Sequence, residues 1–288
     1  MSIVVTGATG GFGRLAIEAL LRRGVPAAEI IAAGRNTGRL TELAEQGVTV
    51  RRADYDDPAS LRTAFKGASR LLFVSGSEVG RRTGQHEAVV RAARDAGLSL
   101  VAYTSAPKAE TSDMVLAEEH RATEHALADS GLPHVFLRNG WYIENYTARL
   151  PVILEHGLIG AAGDGLISMA ARAELAEAAA AVVAGDGHEY QVYELGGESH
   201  TLAGLAAEIS RASGRQVSYT DLSEEAYTEA LIAAGLPEQM AAVLADSDRA
   251  AAKGALHVEG DDLARLLGRP VTTLASGIRA ALPRPAGG

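Results

Sequence analysis

The stretch Thr6-Gly7-Ala8-Thr9-Gly10-Gly11-Phe12-Gly13 constrains this chain more than any other. Ile3-Val4-Val5 leads in and an apolar-periodic run from Leu15 to Leu21 leads out, so the order is strand, glycine turn, helix. Gly7 suits a tight turn off the strand, Gly10 lets backbone approach a pyrophosphate, and Gly13 lets the helix pack closely on the sheet. Phosphates in such a turn lie against free N–H groups at the positive end of the helix. The spacing is G-x-x-G-x-x-G and departs from the common G-x-G-x-x-G at its second glycine.

The first half repeats this alternation. Apolar runs at Ile3–Thr6, Glu29–Ala33, Val48–Arg52, Arg70–Ser75, Leu100–Thr104 and His134–Leu137 are separated by amphipathic stretches beginning near Gly13, Arg39, Pro58, Arg82 and Met114. That pattern predicts an α/β fold, a doubly wound parallel sheet covered by helices on both faces. Ligands of such sheets bind beyond the carboxyl ends of the strands. The expected rim therefore gathers the glycine turn, Gly34-Arg35-Asn36, Asp54-Tyr55, Ser75-Gly76-Ser77, Thr104-Ser105 and Arg138-Asn139-Gly140. After Gly140 the alternation loosens into an aromatic stretch from Trp141 to Tyr146 and then a mixture of helices and short strands, with late helices expected near Ser223–Ala234, Glu238–Ala245 and Asp261–Leu267, ending in a loose tail, Pro283–Gly288. The expected organisation is a nucleotide-binding domain over 1–140, to which later segments can return, and a mainly substrate-binding portion over 141–288.

Composition narrows the function. The 288 residues contain no cysteine, which excludes disulfides, thiolate catalysis and Cys-based metal sites. A formal charge of -9 opposes nonspecific attraction to nucleic acid or anionic lipid. No secretory signal and no apolar run of about 18 residues are present, so a cytoplasmic protein without membrane insertion is expected. Oligomeric state has no signature.

The dinucleotide is read at the end of the second strand, where an acidic residue would bind a ribose 2′-OH. Glu29 lies at the wrong end, roughly 15 Å from the useful one. Arg35 stands at the useful end, with no carboxylate expected beside it to repel a phosphate, and a guanidinium there grips a 2′-phosphate. NADPH is therefore expected over NADH. Asp54 and Tyr55 are candidates for the adenine side, with a solvated loop pair as the alternative.

Catalytic machinery is less visible. The Tyr-x-x-x-Lys pair of ketone-reducing dehydrogenases is absent: the matching helix, Leu116 to His125, has only His120 and His125 to move protons. These two are about 140° apart around a helix and share no face for a metal, and His86-Glu87 lacks a second histidine four residues after His86. Ser75, Ser77 and Ser105 lack the G-x-S-x-G elbow of a serine nucleophile. No metal is expected, and no catalytic residue is assigned.

Thr6–Gly13, Gly34-Arg35-Asn36, Arg52–Asp56, Ser77–Gly80, Tyr103–Ser105, Arg138–Tyr146, Gly160–Gly165 and Leu244–Ser247 with Lys253-Gly254 together resemble the NmrA-like branch of the atypical short-chain dehydrogenases, in particular its bacterial NADPH:quinone oxidoreductases. The resemblance covers nearly the whole chain. It implies an NADP-binding Rossmann domain, a smaller C-terminal domain and a small planar quinone held between them. It also implies that Gly7, Ala8, Thr9, Gly10, Gly11, Phe12, Gly13, Arg35, Ser75, Gly76 and Ser77 hold the cofactor. Asn139, Gly140, Trp141, Tyr142, Ile143 and Glu144 would lie along the nicotinamide. His120 stands where other reductases of the branch carry a catalytic lysine; hydride transfer to a quinone needs less proton assistance than carbonyl reduction does. Trp141 and Tyr142 are candidates to stack on the flat acceptor, and Tyr142 or solvent to supply protons. The alternative is an NADP(H)-binding redox sensor that regulates a partner without catalysis.

Overall fold

The computed structural model describes residues 1–282; the expected tail Pro283–Gly288 lies outside the described residues. The first six strands are β1 (Ile3–Val5), β2 (Ile30–Gly34), β3 (Thr49–Arg52), β4 (Arg70–Phe73), β5 (Leu100–Ser105) and β6 (His134–Asn139). Next come β7 (Trp141–Tyr142), β8 (Leu158–Gly160) and β9 (Ile167–Ala170), followed by β10 (Val192–Leu195), β11 (Glu198–His200) and β12 (Tyr219–Asp221). Seven of them form one sheet in the order β10-β6-β5-β4-β1-β2-β3, and every pairing in it is parallel. The strand order reverses between β1 and β4, which is where a doubly wound sheet opens a crevice. Ile3, Val4 and Val5 are fully buried because helices cover both faces of this central strand.

The helices begin where local chemistry allows. Gly10 is the N-cap of the helix Gly11–Arg22, which starts two residues before Gly13. Asp57 caps the helix Pro58–Phe65 by accepting from the Ala59 and Ser60 amides at 3.1 and 3.2 Å, with Pro58 at its first position.

Residues beyond 140 do not stay together. The helix Arg172–Ala184 packs against Gly11–Arg22 within the sheet's own core, and β10 extends the sheet beside β6. Asp262–Leu267 adds Leu263 to that same core. A second core joins Ile143, Ile153, Ile167, Met169, Leu205, Ile209, Leu256 and Ile278. Around it β7, β9 and β11 make a small mixed sheet, and β8 pairs with β12. The helix expected over Glu238–Ala245 runs on to Ala252, because the polar run that reads as its end is satisfied inside it. Asp246 accepts from the Val115 amide at 2.7 Å, Ser247 donates to the Val243 carbonyl at 2.7 Å, and Asp248 accepts from the Ala161 amide at 3.0 Å. Among the described residues no helix is long and apolar enough to cross a membrane.

Candidate dinucleotide site

A cleft of about 500 Å³ opens at the β1/β4 reversal. From the expected residues it is lined by Gly7, Thr9, Gly10, Gly11, Phe12, Gly13, Arg35, Asp54, Ser75, Gly76, Ser77 and Tyr142. Gly7 turns with φ +61, and a Cβ on Gly13 would lie 2.5 Å from the Gly7 carbonyl oxygen, so both positions require glycine. The helix Gly11–Arg22 has no side chain on its N-terminal amides. A bare, positive helix end behind a turn without side chains fits a pyrophosphate.

Arg172 completes this end. Its guanidinium lies 4.8 Å from the centre of the Tyr142 ring, and a Cβ on Gly11 would come within 3.3 Å of its Nη1. Glu144 holds it there indirectly: both carboxylate oxygens accept from the Arg172 amide, at 3.0 and 3.1 Å, as the helix begins. Phe12 stacks on Tyr142 with ring centres 6.5 Å apart. These two neighbours occupy ring surface that the sequence reading reserved for a flat acceptor, and they leave Tyr142 its edge and hydroxyl. Burial pushes the Tyr142 phenol up to about 12, with Arg172 pulling the other way, so it stays protonated at neutral pH.

The loop after β4 is held from below. The Gly76 amide donates to His86 Nε2 at 2.9 Å, so Nδ1 carries the proton and bonds Thr123 Oγ1 at 2.8 Å. Burial, reinforced by Arg82, lowers His86 to about 3 and keeps it neutral. Arg82 Nε donates to the Gly76 carbonyl at 2.6 Å, and the Ser75 amide donates to Thr104 Oγ1 at 2.9 Å. The Tyr55 hydroxyl is bonded to Thr6 Oγ1 at 2.7 Å and donates to the Val74 carbonyl at 2.6 Å, while its ring lines the cleft.

Arg35 is 62% exposed at the cleft and bonds Glu78 Oε1 through Nη1 at 2.6 Å. A carboxylate therefore does stand beside it, delivered by the loop after β4 and not by the second strand. Arg39 lines the same end. Arg39, Gln85 and Arg172 belong to no local motif, and Glu78 lies in the Ser77–Gly80 segment without any role read for it there; tertiary folding brings them together here.

Other expected residues lie outside the lining. Ala8 is buried, with its amide on the Ala33 carbonyl at 3.1 Å. Asn139 is buried with Oδ1 unpartnered, and the Gly140 amide donates to the Leu195 carbonyl at 2.7 Å. Trp141 packs on the second core and Ile143 belongs to it. His120 is a buried histidine whose Nδ1 meets the Tyr103 hydroxyl at 2.8 Å, and burial holds it well below its usual range. His125 is exposed, 3.1 Å from Glu110.

A parallel sheet of this order, with a glycine turn and a bare helix end at its reversal, defines a dinucleotide-binding protein. The sequence pattern of an NAD(P)H-binding family matches residues 7–186. Quinone oxidoreductase 2 of Escherichia coli (strain K12) is 51% identical over 278 residues, 96% of this chain and 97% of that protein. The crystal structure of the E. coli NADPH-dependent quinone oxidoreductase QOR2 with NADPH superposes with a TM-score of 0.94 at 50% identity, covering 96% of this chain and 99% of that one. The Citrobacter sp. triphenylmethane reductase complexed with NADP(H) gives 0.92 at 40% identity, over 98% and 100%. The chain belongs to the NmrA-like, NAD(P)H-binding family.

Proposed function

We propose that this protein is an NADPH-dependent quinone oxidoreductase, its acceptor a small planar quinone bound beside the cleft. The observation that carries this reading is the convergence of the glycine turn, Arg35 and Tyr142 on one cleft, in a chain 51% identical to a quinone oxidoreductase. Bound NADPH supplies the hydride. The amides at Gly10–Phe12 bind the pyrophosphate, Arg172 adds positive charge beside them, and Arg35 with Arg39 binds the 2′-phosphate. The Ser75–Ser77 loop, locked by His86 and Thr104, fixes the cofactor's position. Tyr142, protonated at neutral pH, donates a hydrogen bond to an acceptor oxygen. No catalytic lysine is needed, since the reduced product is aromatic and positioning does most of the work.

The test is NADPH oxidation with a panel of small quinones, together with equilibrium binding of both coenzymes. Turnover is expected, with NADPH bound more tightly than NADH; Arg35→Ala should abolish that difference. Tight NADPH binding without turnover on any acceptor would point instead to a redox sensor.

A further inference from the structure

Glu78 is out of place in a site built for an anion. Its Oε1 accepts from Arg35 at 2.6 Å, and Arg35 is the group assigned to the 2′-phosphate. Glu78 is also not free to withdraw. Arg81 Nη1 donates to its other oxygen at 2.8 Å, with Gln85 Nε2 at 3.3 Å. Arg81 and Gln85 are held in turn by Asp56 Oδ2, at 3.0 and 3.1 Å. The backbone on either side is fixed as well, since Gln239 donates to the Val79 carbonyl at 3.1 Å and the Gly80 amide donates to Glu119 at 3.1 Å. An arriving 2′-phosphate therefore displaces Glu78 from Arg35 yet leaves the carboxylate nearby.

We infer that Glu78 is a specificity-determining residue, a built-in competitor that occupies Arg35 in the free protein and tempers the preference for the 2′-phosphorylated coenzyme. It rests on the reading of Arg35 as the 2′-phosphate ligand. NADH lacks that phosphate and neither displaces Glu78 nor meets its charge. The pair is exposed, so the competition is moderate in size and falls with ionic strength.

The experiment is equilibrium titration of wild type, Glu78→Gln and Arg35→Ala with NADPH and with NADH at low ionic strength, read by binding heat without any acceptor. Glu78→Gln keeps the side chain's size, and a thermal melt checks that it is folded. It should bind NADPH about two- to fivefold more tightly and NADH about as wild type does. NADPH affinity unchanged or weakened in Glu78→Gln would overturn the competitor role while leaving the Arg35 reading intact. NADPH affinity undiminished in Arg35→Ala would defeat that reading, and the inference with it.

Discussion

Two residues show how single atoms decide this site. Gly13 faces the turn so closely that a methyl group would lie 2.5 Å from the Gly7 oxygen and 2.7 Å from its carbonyl carbon. Both are backbone and cannot rotate away. Helix propensity favours alanine by about 1 kcal/mol, but overpacking of this kind costs roughly 1–3 kcal/mol or more and wins. Gly13→Ala should therefore lower stability in urea denaturation and weaken NADPH in a parallel titration. Asp248 is the second case. It is buried against Gly160 with one amide partner, and burial raises its pKa from 3.8 to about 6. The folded state then holds a proton that the unfolded chain has released. Stability is fully present below about pH 4 and is lost as pH rises through about 6, by up to roughly 2–3 kcal/mol. Asp248→Asn should stabilise the protein at pH 7 by a margin that closes as pH falls to 4, as read by denaturation of both proteins across that range.

At the scale of elements, the loop after β4 depends on the helix that follows it, Arg82–Asp95. His86 accepts from the Gly76 amide, so His86→Leu leaves a buried N–H without a partner. That costs about 1–3 kcal/mol and should slacken the Ser75–Ser77 loop. The expected outcome is a lower melting temperature together with a raised NADPH dissociation constant; an unchanged constant would separate the loop from cofactor binding. His86 also illustrates what sequence reading reaches. The glycine turn and the strand-end residues are legible because their roles are local: a turn needs glycine, and a strand end faces the rim. His86 reads only as a failed metal motif, because its partners Gly76 and Thr123 lie on other elements. Arg172 is missed for the same reason, and so is the contact of Glu78 with Arg35, although Ser77–Gly80 is legible as a segment. β7 is two residues long, too short for periodicity to show, and it exists because it pairs with Met169 and Ala170. The extension of Glu238–Ala252 is hidden as well, since Asp246 and Asp248 look like helix breakers until their distant amide partners are known.

For the whole molecule, a division at residue 140 in sequence is not a division in space. Leu175, Ala176, Ala179, Val182 and Val183 are buried in the core that contains Ile17 and Leu20, and Leu195 adds to it from β10. Arg138 ties the same region together, bonding Glu124 at 2.6 Å and Glu194 of β10 at 3.1 Å. A fragment ending at residue 140 would leave that apolar surface bare and Arg138 without one of its carboxylates. It should fail to give a cooperative thermal transition, whereas the full chain should melt as one unit, with a midpoint that climbs as NADPH is added. The chain passes between the two cores after Asn139, again before Arg172, after Leu195, ahead of Asp262 and once more before Leu274. A body stitched at so many points has no single axle about which its halves can swing apart. Any swing between the two cores must bend the chain at all of these crossings together, so the solvent-accessible Arg35–Glu78 pair at the mouth restrains the coenzyme far less than the frame around it does.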